Sequence, residues 1–145
     1  MEAYLHEHIP LSAAMGITVV ESSPERTVLE APLGPNLNHR ATAFGGSIST
    51  LAILTGWVHV HFRLRSEGHA VHTVIHRSTV DYTAPITSTF RATCERVSDA
   101  PWARLCRGLD RHNKGRVHVD VQIESGTAHV SHFRGAYVAL QEADG

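Results

Sequence analysis

The chain has 145 residues, of which 42% are hydrophobic and 19% charged, so it can bury one sizeable core but not two, and we expect a single domain over residues 1–145. Thirteen lysines and arginines against fourteen acidic residues give a net charge of -1, which excludes an overall basic field for nucleic acid or anionic membranes. Cys94 and Cys106 lack Cys-x-x-Cys spacing, and no signal-like start is visible, so we expect a reducing, cytoplasmic location.

Hydrophobic periodicity and turn residues predict, in chain order, a short helix, two strands, a long helix, two strands, a second helix and two final strands. The predicted elements are a helix at 8–16, strands at 17–21 and 27–32, a helix at 48–64, strands at 71–82 and 87–97, a helix between an N-cap at Ser98 or Asp99 and Gly115, and strands at 116–124 and 127–140.

The long helix at 48–64 decides the predicted architecture. Its hydrophobic residues cover every direction of a helical wheel, so other structure must surround it. Its serine, threonine and histidine residues favour a buried helix over a membrane span. An antiparallel sheet of about six strands wrapped around one long central helix satisfies the order of elements. The sequence therefore predicts an α+β chain with the hotdog fold, in which Gly135 marks a bulge in the last strand.

The candidate functional site lies where a polar loop enters this helix. Gly45 and Gly46 stand at the junction. The first N–H groups of a helix have no partner inside it and lie at the positive end of the helix dipole, so they suit a carbonyl oxygen, an oxyanion or a phosphate. Glycine also lets a ligand approach the backbone without meeting a Cβ. The alternative is that the two glycines serve only close packing of helix against strand.

The residues around this junction resemble known thioesterases. The motifs are Asn38-x-x-Ala41-x-x-Phe44-Gly45-Gly46 and Val80-Asp81-Tyr82-Thr83-Ala84-Pro85. They are similar to motifs of hotdog acyl-CoA thioesterases of the phenylacetic-acid-degradation type, whose loop reads Asn-x-x-Gly-x-x-His-Gly-Gly. A closer resemblance is to a small bacterial family of thioesterase-like domains, sometimes fused behind an N-acetyltransferase domain. The matching stretches there are residues 8–12, 31–33, 42–47 and 56–57.

The resemblance implies a thioester hydrolase in which backbone amides at the helix start hold the thioester carbonyl. Carried over by position, Gly45 and Gly46 would form the carbonyl-binding turn, and Asn38 would be the loop amide that orients water. Two positions depart from the thioesterase pattern. Phe44 stands where the histidine would be, and Ile53 stands where the helix carboxylate would be.

A proton acceptor must therefore come from outside the helix, because no Asp or Glu occurs between residues 30 and 67. Asp81 is the nearest candidate, since proteins of the resembled type pair their third strands across a dimer, close to the partner's helix start. His72 and His76, expected on one face of the same strand, are alternatives that titrate near neutrality. The non-catalytic readings make Asp81 a strand-end residue bound by backbone donors and Asn38 the centre of an Asx-turn.

The predicted site comprises catalytic Asn38, Gly46 and Asp81 and substrate-binding Thr42, Phe44, Gly45, Ser47, Trp57 and Tyr82. Thr42 and Ser47 have an alternative role as capping residues, and Trp57 as core filling. The twelve histidines do not predict a metal site, because neighbouring pairs such as His59 and His61 point to different sides. We expect no cofactor.

The expected partners are an acyl-CoA or acyl-carrier-protein thioester and further copies of the same chain. A homodimer or a dimer of dimers would cover the exposed edge of the third strand. The alternative function is non-catalytic binding of acyl thioesters on the same fold. A dehydratase is a third possibility, which the absence of a His and acid pair in the loop and helix disfavours.

Overall fold

The computed structural model describes residues 1–143, which form four α-helices, a short 3-10 turn and six strands. In chain order these are α1 (Glu2–His8), α2 (Pro10–Ala14), β1 (Thr18–Ser22), β2 (Arg26–Ala31), the 3-10 turn (Gly34–Asn36), α3 (Gly45–Ser66), β3 (Val71–Tyr82), β4 (Phe90–Glu95), α4 (Asp99–His112), β5 (Lys114–Ser125) and β6 (Ala128–Gln141).

The six strands form one antiparallel sheet in the order β1-β2-β4-β5-β6-β3. Helix α3 packs on this sheet and contacts β2, β3, β4, β5 and β6. Leu51, Val58 and Leu64 are completely buried along its length. The predicted sheet wrapped around one long central helix is confirmed. Within residues 1–143, no helix is both long enough and apolar enough to cross a membrane.

Strand β3 has the predicted bounds but not the predicted alternation. Its pairing with β6 shifts register between Ile75 and Arg77, which leaves His76 at a bulge. An extra residue at a bulge reverses which side chains face the core from that point on. The bulge interrupts the simple alternation at His76 itself, so the expectation that His72 and His76 share one face stays a prediction.

The N-terminal segment contains a helix that the sequence did not predict. Instead of one helix over 8–16, the chain forms α1 and the short α2, which ends before Gly16 in a left-handed conformation at φ 70°. Leu5 of α1 is completely buried, and Tyr4 packs edge-on against Phe62 of α3. Seven residues are too few for a helix to be stable alone, so α1 depends on these tertiary contacts.

Gly135 plays a role other than the one predicted. It pairs regularly with Val119 and does not form a bulge. A Cβ on Gly135 would lie 2.5 Å from the Phe133 ring, so the glycine serves close packing of that ring.

Helix α4 has the predicted limits. It begins after Ser98 and ends at His112, before Gly115, and its C-cap residue Asn113 has a left-handed φ of 58°.

The histidines of α3 are buried and face opposite sides, as their spacing predicts. His59 Nδ1 lies 3.0 Å from Thr27 Oγ1 on β2, and His61 Nδ1 lies 2.9 Å from Thr73 Oγ1 on β3. Burial lowers the pKa of His59 and of His61 to about 4. Both rings are therefore neutral near pH 7, which removes the cost of burying a charge.

Candidate active site

Helix α3 begins with two free backbone amides. Phe44 is the N-cap residue, and its side chain has no group that could cap the helix. The N–H groups of Ser47 and Ile48 donate to the Phe44 carbonyl at 2.9 and 3.1 Å. The N–H groups of Gly45 and Gly46 have no acceptor within residues 1–143. These two amides form the positive end of the helix dipole and are available to a ligand oxygen.

A cleft of about 400 Å³ lies beside the start of α3. It is lined by Ala43, Gly45, Ile48, Tyr82, Thr83, Ala84, Pro85 and Ile86. The Tyr82 hydroxyl donates to the Gly45 carbonyl at 3.2 Å, so the tyrosine ring forms one wall next to Gly45. The Phe44 ring lies against the other glycine, since a Cβ on Gly46 would be 2.3 Å from it. Phe44 itself is 56% exposed at the mouth of the site.

The loop before the helix is organised by Asn38. Its Oδ1 accepts the N–H groups of Arg40 and Thr42 at 2.8 and 3.1 Å. Its Nδ2 donates to Thr42 Oγ1 at 2.7 Å and, at 3.4 Å, to the Ala43 carbonyl. All of these bonds lie inside the loop, so in this conformation Asn38 makes an Asx-turn. Its predicted role in orienting water would require it to exchange one of them.

The same loop contains a residue in a conformation that favours glycine. Ala41 has φ 61°, in the left-handed region that costs an L-residue about 1–2 kcal/mol. It occupies the position where the resembled thioesterases have glycine. The motif therefore indicates that this position needs a left-handed backbone, which glycine adopts more easily than the alanine found here.

Neither predicted capping residue caps α3. Thr42 Oγ1 accepts from Asn38, and Ser47 makes no side-chain hydrogen bond within the described residues. The reason is that Phe44 occupies the N-cap position, held there by its N–H, which donates to the Asn36 carbonyl at 2.7 Å. Thr42 and Ser47 remain near the site as partly exposed polar side chains.

The structure does not bring Asp81 into the cleft of its own chain. Successive side chains of a strand point to opposite faces, and the ring of the next residue, Tyr82, faces α3. Asp81 is therefore directed to the outer face, where it lies opposite His132 in the backbone register of β3 and β6. His72 stands nine residues earlier on β3, roughly 30 Å away at strand rise.

Trp57 lies in a second, apolar cavity between α3 and β3. Its indole N–H donates to the Thr73 carbonyl at 2.7 Å, and its ring stacks on His61. The cavity has a volume of about 340 Å³ and is also lined by Ile53 and Tyr137. Ile53 and Tyr137 were not predicted as wall residues, although Ile53 and Trp57 are four apart and so share one helix face.

The cleft lacks an obvious acid or base. None of its lining residues carries a carboxylate or an imidazole. Within residues 1–143, no three His, Cys, Asp or Glu side chains lie close enough to hold a metal ion. The cleft can thus polarise a carbonyl through backbone amides, whereas a proton acceptor has to come from outside its walls.

Comparison with known proteins identifies the family. The model of a family described as "Putative thioesterase (yiiD_Cterm)" matches residues 1–141. The chain belongs to this family. A solved structure titled a putative thioesterase, from Shewanella oneidensis, is 30% identical with a TM-score of 0.84, over 96% of this chain and 94% of that one.

Two further solved structures show how far the likeness extends. A protein of unknown function from Chlorobaculum tepidum is 27% identical, with a TM-score of 0.91 over 97% of this chain and 92% of that one. The PaaI protein of the phenylacetic acid degradation operon of E. coli is 18% identical, with a TM-score of 0.69 over 97% and 90% of the two chains. The PaaI match concerns the fold alone and agrees with the hotdog architecture of this family member.

Proposed function

We propose that this family member hydrolyses acyl thioesters of CoA or of acyl-carrier protein, with the thioester oxygen bound by the N–H groups of Gly45 and Gly46. The observation that supports this most directly is the pair of free amides at the start of α3, together with the cleft that Gly45 lines. Hydrolysis of a thioester develops negative charge on that oxygen. A preorganised hydrogen-bond donor aimed at such an oxyanion lowers the activation free energy by about 3–4 kcal/mol.

Gly45→Pro tests the role of the amide directly, because it removes one N–H group. Gly45 is the first residue of α3, a position that tolerates proline, and Phe44 before it has the extended backbone that proline requires, with ψ 133°. Gly45→Ala is the matched control that keeps the N–H. We expect Gly45→Pro to lower kcat for acyl-CoA hydrolysis about 100-fold or more and Gly45→Ala to retain activity. Wild-type rates for both Gly45→Pro and Gly46→Pro would contradict the proposal.

We infer that two copies pair through β3, as a homodimer or a dimer of dimers. Strand β3 ends the sheet, so one edge of its backbone has no neighbouring strand in residues 1–143. Val74 and Ile75 on it are 49% and 36% exposed, and an apolar open edge favours pairing. Antiparallel pairing about a two-fold axis would place the start of one β3 beside the end of the other. The apolar cavity at Trp57 of the partner subunit would then continue the cleft at Gly45 and receive the acyl chain.

Light scattering measures this association. Ile75→Lys places a charge on the proposed interface, and Val20→Lys is the matched control on β1, the opposite edge of the sheet, where Val20 is 47% exposed. We expect the wild type and Val20→Lys to have the molar mass of a dimer or tetramer and Ile75→Lys that of a monomer. A monomeric wild type would contradict the inference.

The proton acceptor in this proposal is Asp81 or one of the β3 histidines, His72 or His76, with Asn38 orienting the water. Because β3 of two copies would be paired, these side chains would lie near the boundary between the subunits. Asp81→Asn should lower kcat and shift its pH profile if Asp81 is the acceptor. Asp110→Asn on exposed α4 is the matched control. If Asn38→Ala and Asp81→Asn enzymes both keep the wild-type rate, these assignments are lost.

The second candidate function is non-catalytic binding of acyl thioesters. It is favoured by the absence of any carboxylate or imidazole among the residues lining the cleft. Thiol release from a panel of short, aromatic and long acyl-CoAs, combined with calorimetric binding of the same compounds, separates the two functions. Saturable binding without turnover would support the binding protein.

A further inference from the structure

The unpaired positive charges of the molecule are concentrated in one segment. Six of the thirteen lysines and arginines form ion pairs with carboxylates of residues 1–143. Five of the other seven fall between residues 104 and 116, on the second half of α4 and the start of β5. They are Arg104, Arg107, Arg111, Lys114 and Arg116. A chain with a net charge of -1 thus has one local basic region that its overall charge conceals.

Two of these five side chains, Arg104 and Arg116, line a groove of about 580 Å³. The groove lies between the end of β4, the first turns of α4 and the outer face of β5. Its charged walls are Glu95, Arg96, Arg104, Arg116, His118, Asp120 and Arg134. It is separate from the cleft at Gly45, with which it shares no lining residue.

The two carboxylates of this groove are already neutralised. Asp120 accepts from Arg134 at 2.9 Å and lies 3.2 Å from His132 Nε2. Glu95 lies 3.5 Å from Arg26. These pairs occupy the acidic groups, so they do not compensate the remaining arginines.

The remaining charge belongs to Arg104 and Arg116. Of the other two arginines of the wall, Arg134 is paired with Asp120, and Arg96 pairs with Glu25 at 2.9 Å and with Asp99 at 3.8 Å. Arg104 and Arg116 have neither an ion pair nor a side-chain hydrogen bond within residues 1–143. The groove therefore presents two unpaired guanidinium groups, and the His118 ring, also on its wall, is a further hydrogen-bonding group.

We propose that this groove binds an organic diphosphate, such as the diphosphate of a nucleotide. Guanidinium groups bind phosphate oxygens through two parallel N–H bonds, and two unpaired guanidinium groups match two phosphates. The volume falls within the range of small-molecule sites, about 300–1,000 Å³, so it accommodates an organic group together with the phosphates. The ligand comes either from the nucleotide of a CoA substrate or from a separate effector.

Calorimetric titration with ADP and with inorganic pyrophosphate tests the site. The variant is Arg104→Ala/Arg116→Ala, and the matched control is Arg107→Ala/Arg111→Ala, which removes the same charge from α4 outside the groove. All four side chains are exposed, so both variants should fold. We expect saturable binding to the wild type, a loss of affinity of about tenfold or more in the first variant and little change in the second, since only the first removes phosphate contacts.

Two outcomes would overturn the proposal. If ADP and pyrophosphate do not bind the wild type saturably, the groove is a solvated charged surface. If both double variants lose affinity equally, the attraction is a general effect of charge, which salt would screen.

Hydrolysis kinetics distinguish the two sources of the diphosphate. This experiment rests on the proposed function, because it requires that the protein hydrolyse thioesters. If the ligand is the nucleotide of CoA, ADP competes with acyl-CoA, and Arg104→Ala/Arg116→Ala raises KM for acyl-CoA but not for the acyl-pantetheine that lacks the nucleotide. If ADP binds without affecting either KM, the groove takes a separate effector. Should no thioester be hydrolysed, the titrations still decide whether the site exists.

Discussion

The two ends of α3 treat polar groups in opposite ways. At its start, the N–H groups of Gly45 and Gly46 have no acceptor within residues 1–143 and lie beside a cleft. Near its end, His59 and Arg63 are 2% and 5% exposed and held by neighbouring elements. Arg63 donates to the Val97 carbonyl at 3.2 Å and lies 3.8 Å from the centre of the Trp102 ring.

This contrast locates function at one end of the helix. An unpaired polar group inside a protein costs about 1–3 kcal/mol. At the buried end, His59 Nδ1 pairs with Thr27 and Arg63 donates to Val97, although His59 Nε2 has no hydrogen-bond partner within residues 1–143. At the open end, the free amides start the helix beside a cleft that a ligand can reach.

The largest expected effect is the pH dependence of the free energy of unfolding, which His59 at the buried end of α3 causes. Burial lowers the pKa of His59 to about 4 from an ordinary value of 6.5, so the unfolded chain binds the proton first as the pH falls. Above pH 6.5 His59 is neutral in both states and does not change the free energy of unfolding. As the pH falls from 6.5 to 4, protonation of the unfolded chain lowers that free energy by about 3 kcal/mol. Urea unfolding across this range measures it. His59→Gln should weaken the dependence and leave the part that His61 contributes over the same range, and a wild type with constant stability would contradict this account.

A smaller effect is expected from adding one methyl group at two positions of α3. A Cβ on Gly56 would lie 2.5 Å from the Tyr137 hydroxyl, which donates to the Ile53 carbonyl. Gly56→Ala should therefore destabilise the fold by about 2 kcal/mol. A Cβ on Gly45 would lie 3.6 Å from the Tyr82 ring, an ordinary contact, so Gly45→Ala should be nearly neutral. Thermal unfolding compares the two variants, and equal costs would show that the open end is packed as tightly as the middle.

The loop at the open end should gain stability from glycine. Because Ala41 has φ 61°, Ala41→Gly relieves backbone strain and should stabilise the fold by about 1 kcal/mol. Ala43→Gly is the control, since Ala43 is buried without a positive φ and should lose stability. Chemical denaturation measures both. A destabilised Ala41→Gly would mean that loop entropy outweighs the strain.

The smallest effect is expected at the wall of the cleft. Tyr82→Phe removes one hydrogen bond to the Gly45 carbonyl at an exposed position. The free energy of unfolding should change by less than about 0.5 kcal/mol, and the free amides should be unaffected. Hydrolysis rates and denaturation of the variant measure this. A large loss of stability would show that the ring, through its hydroxyl, holds the helix start in place.

Much of the site was predictable because it depends on local backbone features. Two glycines after a polar loop predicted the free amides of α3, and the Asx-turn at Asn38 is the alternative role that the sequence left open. What the sequence could not provide was the direction of Asp81. That direction depends on a bulge at His76 and on the contact between Tyr82 and Gly45, neither of which leaves a periodic signal.

The sequence by itself determined the order and type of most elements, since apolar periodicity follows from which face of a helix or strand is buried. It also determined that α3 is wrapped by the sheet. Only the tertiary structure decided that α1 forms and that Arg104 and Arg116 share one groove. These features depend on contacts between residues distant in the chain, and local patterns do not encode such contacts.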